Sequence, residues 1–106
     1  MNTTVNMYAI HIPTQGATSN IVLESSDDTA YGKFKALIRD MVENHNDEEY
    51  AKLITLKRIG TIDLHLPVLK GLEEAELVAD GLDVVQTIKR ENEAKELKRE
   101  GVEENE

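Results

Sequence analysis

One stripe of apolar side chains constrains this chain more than any other feature. Ala30, Phe34, Leu37, Ile38, Met41, Val42 and His45 recur at intervals of three and four, which places them on one broad face of a helix. Lys33, Lys35, Arg39, Asp40 and Glu43 fall outside that stripe. Immediately before it, Ser25-Ser26-Asp27-Asp28 offers side-chain oxygens to the orphan N–H groups of a first turn. Ser25 and Asp28 have the spacing of a capping box, and the two aspartates suit the positive end of the helix dipole. The pattern predicts a helix near 28–45. A lone amphipathic helix must bury its stripe against something else, so the rest of the chain has to supply a second layer.

Strand-type segments flank the helix on both sides. Over Val5–Ile12, Tyr8, Ile10 and Ile12 face one side and Met7, Ala9 and His11 the other, an imperfect period of two. Pro13-Thr14-Gln15-Gly16 is turn chemistry, and Asn20–Glu24 is a β-branched run suited to a return strand. Asn44–Asp47 reads as the helix end, and 47–52 as a helical turn with Tyr50 inward. Leu53–Ile59 is rich in strand formers. Gly60-Thr61 then breaks the run, and Ile62, Leu64 and Leu66 alternate with Asp63 and His65 up to Pro67, which suggests a second hairpin. Residues 72–82 fit a helical turn or a short strand equally, with Asp80-Gly81 as a turn. From Val84 a thinner stripe of Val85, Ile88, Ala94 and Leu97 marks a C-terminal helix, supported by an i,i+4 pair at Glu91 and Lys95. The expected fold is α+β: a small antiparallel sheet in ββαββ order packed on one amphipathic helix. It forms a single domain over 1–83, followed by a charged C-terminal helix or tail over 84–106.

Composition narrows the chemistry. The chain has 106 residues, only 4% of them aromatic, so it holds one domain with an aliphatic core. It has no cysteine, which removes disulfides, thiolate metal sites and thiol nucleophiles. No basic-then-apolar leader and no membrane-length apolar run are present, so a cytoplasmic protein without a membrane partner is expected. None of the three histidines has metal-ligand spacing, and the glycines and serines form no phosphate-cradling loop or nucleophile elbow. No catalytic residue, metal or cofactor is expected. His11, His65 and Asp63 are the one cluster that a fold could bring together.

Charge is unevenly distributed. The formal net charge is −9, yet residues 1–32 hold no Lys or Arg, and the positive residues begin at Lys33. Lys33, Lys35 and Arg39 lie on or beside the exposed helix face, and Lys52, Lys57 and Arg58 follow on the third strand. With Tyr8 and Tyr50 as stacking platforms, these residues are candidates for binding single-stranded nucleic acid. The rival reading uses the acidic balance: a protein–protein interaction module that occupies a basic groove. A sheet with one helix on it leaves a face or edge exposed, so a homodimer is expected.

The order of short motifs resembles a known family. A strand opens at Met7-Tyr8-Ala9-Ile10, and Asp28-Thr29-Ala30 leads into Phe34-Lys35-Ala36-Leu37. Asp47-Glu48-Glu49-Tyr50, Leu53 and Ile59-Gly60-Thr61-Ile62-Asp63 follow. Over residues 7–70 this is similar to the small non-structural protein of gokushovirus-like microviruses, phages with single-stranded DNA. The resemblance implies a phage accessory protein that binds DNA or the replication machinery in the host cytoplasm. It implies no particular base-contacting residue. An inhibitor of a host or defence factor is the alternative.

Overall fold

The computed structural model describes residues 4–12, 17–18, 21–66 and 68–104. Along the chain come β1 (Thr4–Ile12), β2 (Ala17–Thr18), β3 (Val22–Glu24), α1 (Asp27–Asn44), α2 (Glu48–Ala51), β4 (Thr55–Asp63), β5 (Val68–Asp80) and α3 (Gly81–Glu104). The sheet is antiparallel throughout, in the order β2-β1-β4-β5, with β3 also pairing with β1. The fold is therefore α+β, as the patterning predicts. The turn expected at Pro13–Gly16 lies outside the described residues.

The helix forms where its stripe requires. Its N-cap is Ser26, one residue later than the expected capping box, with Oγ accepting from the Thr29 N–H at 3.2 Å. Asp27 and Asp28 occupy the first turn. At the other end Asn46 adopts a left-handed conformation (φ 51°), and the Asp47 N–H donates to the Met41 carbonyl at 2.9 Å, so an asparagine that tolerates this conformation stops the helix. Ala30, Phe34 and Ile38 are buried against Tyr8, Leu56 and Ala79 of the sheet. The partly buried Ile10 and Ile12 extend that contact, so the Tyr8, Ile10 and Ile12 side of β1 is the one that faces the helix. Each large aliphatic or aromatic group so buried contributes about 1.5–3 kcal/mol.

Two expectations are corrected. The predicted hairpin of 53–59 with 62–66 does not exist. β4 runs without a break from Thr55 to Asp63, through Gly60, and its hairpin partner is β5. Gly60 is a close-approach residue rather than a breaker. A Cβ there would sit 2.2 Å from the Lys70 carbonyl oxygen and 2.9 Å from Met7 Cε. The ambiguous 72–82 segment is strand up to Asp80.

The start of α3 lies close to the 83/84 position that the patterning marks. Val84, Val85 and Ile88 belong to the buried core, so the first turns of α3 are part of the domain. Beyond them residues 93–98 are exposed. Together with the outlying part of the β4–β5 hairpin, this distal helix lengthens the molecule to 61 × 37 × 20 Å. The radius of gyration is 17.4 Å, against about 13 Å for a compact chain of this length.

Candidate functional site

The six candidate cations do not converge. Lys33, Lys35 and Arg39 project from α1, and each meets a carboxylate. Lys33 bonds to Glu24, Lys35 to Glu91, and Arg39 to Glu91 at 2.7 Å and to Glu43 at 3.4 Å. Lys52 follows α2 and reaches Glu48 and Glu49, both at 3.3 Å. Arg58 bonds to Glu76 and lies 3.5 Å from Asp27. Lys57, its neighbour along β4, points to the other side of the sheet and has no ion-pair partner among the described residues. Five of the six thus have a carboxylate partner within the fold.

These pairs fasten elements together. Glu91 of α3 binds two α1 cations at once, and hydrogen bonds from Lys35 and then Arg39 hold its carboxyl below the ordinary glutamate range. Lys89 at 2.8 Å is the larger cause, ahead of Lys52, of a similar depression at Glu48. At Lys35, Arg39, Lys52 and Arg58, whose side chains are 25–30% exposed, a phosphate would have to displace carboxylates already in place, whereas Lys33 remains 67% exposed beside Glu24.

Tyr8 is corrected as a stacking platform. Its ring is 0% exposed, so a base has no face to meet. Its hydroxyl donates to Asp27 Oδ1 at 2.5 Å and accepts from Asn6 Nδ2 at 2.9 Å. Burial first, and the Asp27 contact second, raise its pKa above the ordinary phenol value. Tyr50 is half-buried against the core. The histidine cluster also separates. His11 pairs with Thr55 at one end of β4, while Asp63 closes the other end, with His65 in the turn beyond. At about 3.3 Å per residue these ends lie roughly 26 Å apart. Among the described residues no group of three or more His, Asp or Glu side chains could hold a metal ion, and no helix is long and apolar enough to cross a membrane.

The sequence reading missed a large apolar surface. Residues paired across an antiparallel ladder share a face. The register therefore puts Val5, Met7, Ala9 and His11 of β1 on the side away from the helices. They stand there with Leu23 of β3, Thr55, Lys57 and Ile62 of β4, and Leu69, Leu77 and Asp80 of β5. Leu23, Leu69 and Leu77 are 44%, 64% and 60% exposed. Leu64 and Leu72 of the β4–β5 hairpin are exposed beside it, whereas Val68, paired with Asp63, and Leu66 share the opposite face with Thr4 and Thr61. The available signal was the alternation Ile62, Leu64, Leu66, read as a half-buried strand. Ile62 and Asp63 instead end β4, and the leucines beyond them are exposed.

No family model, curated protein or solved structure matches this chain.

Proposed function

We propose that this chain is a non-enzymatic, homodimeric protein-interaction module of the cytoplasm. A second copy covers the helix-free face and hairpin, and the acidic surface is left for a basic groove on a host or defence protein. One observation carries the reading. Among the described residues, Leu23, Leu69 and Leu77 stand exposed together on the helix-free face, and the adjoining hairpin adds exposed Leu64 and Leu72, a cluster that in soluble proteins marks an interface. Charge selects the occupant. Two copies with a net charge of −9 repel at most of their surfaces, but only Asp80 among the residues assigned to the helix-free face is acidic. A basic partner would find only Asp80 to pair with there. The nine-residue length of β1 gives a face roughly 30 by 15 Å in plan. The hairpin extends it towards the scale of a standard patch of about 800 Å² per partner.

The carboxylate pairs of Lys35, Arg39, Lys52 and Arg58 favour this reading over phosphate binding. The resemblance over residues 7–70 supports a phage setting.

Light scattering across a concentration series tests the dimer. The wild type is expected at twice the 11.9 kDa chain mass. Leu69→Glu with Leu77→Glu is expected to be monomeric with an unchanged circular dichroism spectrum. A wild type that stays monomeric up to its solubility limit would overturn the assignment. Binding of a labelled single strand at low salt would restore the nucleic-acid reading.

A further inference from the structure

A second site lies on the opposite side of the sheet's β3 edge, apart from the proposed dimer face. Between β3 and α1 there is a cavity of about 90 Å³ lined by Tyr8, Ile10, Val22, Ala30, Phe34 and Leu37, with Glu24 and Lys33 at its polar end. A water molecule needs about 10–15 Å³ on this measure and two or more polar partners. The cavity therefore has space for several waters but almost nothing to hold them. Such a poorly hydrated pocket favours an apolar occupant. Val22 and Leu37, 43% and 39% exposed, form its rim, with Ile21 and Leu23 exposed beside them.

Two further features decide what that occupant is. Among the described residues β3 pairs with β1 alone, so its outer edge offers backbone donors and acceptors beside the cavity. A free small molecule could not use that ladder, but an extended peptide could. The accessible charge is positive. Glu24 is 9% exposed and occupied by Lys33, whereas the Lys33 side chain is 67% exposed. An ammonium has three N–H donors, and Glu24 engages one of them.

We propose that the groove between β3 and α1 binds an extended peptide by strand addition, with a branched aliphatic side chain in the cavity and a carboxylate two residues along on Lys33. The two-residue spacing follows from strand geometry, in which positions i and i+2 face the same way. The site does not depend on the dimer, because the only lining residue assigned to the helix-free face is Ala9, which is 4% exposed.

Methyl NMR of the full-length chain, titrated with acetyl-Thr-Thr-Leu-Thr-Glu-Thr-Thr-amide, tests the proposal. Shifts are expected at Val22, Leu37 and Ile10. Replacing the peptide's Leu by Ala, or methylating its backbone nitrogens, is expected to weaken binding by about tenfold or more. Replacing its Glu by Lys is expected to weaken binding and remove its salt dependence. On the protein, Val22→Lys at the exposed rim is expected to abolish the shifts. The proposal is overturned if millimolar peptide produces no shift. It is also overturned if the Ala, Lys or N-methylated peptides bind as well as the parent. These peptide changes leave the protein untouched, so misfolding cannot imitate either result.

Discussion

Replacing Gly81 by alanine tests the packing argument most directly. Gly81 is the first residue of α3, buried where β5 hands over to the helix. An added Cβ would lie 2.0 Å from the Ala51 carbonyl oxygen and 2.6 Å from that of Ile54. Both are backbone atoms that no side-chain rotation can move. The Gly81 N–H also donates to Ile54 at 2.8 Å, so relieving the clash lengthens a buried hydrogen bond. Overpacking costs about 1–3 kcal/mol, and an unsatisfied buried backbone group adds about 1–3 kcal/mol. Gly81→Ala should therefore cost about 2–6 kcal/mol of a total typically about 5–15 kcal/mol. That corresponds to a melting temperature lower by about 8 °C or more. Gly32→Ala is the control. Gly32 lies inside α1 with nothing within 4 Å of an added Cβ, so that change should stabilise by about 0.5–1 kcal/mol. Urea unfolding followed by circular dichroism measures both. A Gly81→Ala protein within about 0.5 kcal/mol of wild type would refute the account of how α3 seats on the α2–β4 connection.

Other outcomes follow from the same contacts. Tyr8→Phe removes the hydroxyl between Asn6 and Asp27 and should cost about 1.5–3 kcal/mol by chemical denaturation, with no change in fold. Because the folded carboxyl of Glu91 is depressed, its contribution is complete above the unfolded value of about 4.3. It is lost as pH falls from there through the folded value, so stability should drop more steeply with acid in the wild type than in Glu91→Gln. A chain ending after Asn92 should still melt cooperatively, whereas one ending after Asp83 loses Val84, Val85 and Ile88 from the core and should show no thermal transition.

Local chemistry made α1 legible: the three-and-four stripe and the Ser-Asp start need no distant partner, and they place the helix within a residue. The β1 alternation was readable for the same reason. Gly60 misled because one residue type serves both as a strand breaker and as the relief point for a tight crossing, and only the positions of Met7 and Lys70 distinguish them. The site residues failed in a similar way. Lys35 and Arg39 look like free cations until α3 folds back and sets Glu91, more than fifty residues away, between them. Leu69 and Leu77 gave no helical or alternating pattern, because β5 carries register shifts that break the period of two.

The pairing of β1 with β4 has a consequence in time. Thr4 lies against Asp63 and His11 against Thr55, so the central seam joins β1 to a strand synthesised some fifty residues later. The β1–β3 contact and α1 can form early from nearby segments. The inner edge of β1, however, must remain without its partner until β4 emerges. Closing so long a loop is slow relative to local contacts. The open strand edge belongs to the stretch of synthesis when a nascent chain is most exposed to mispairing.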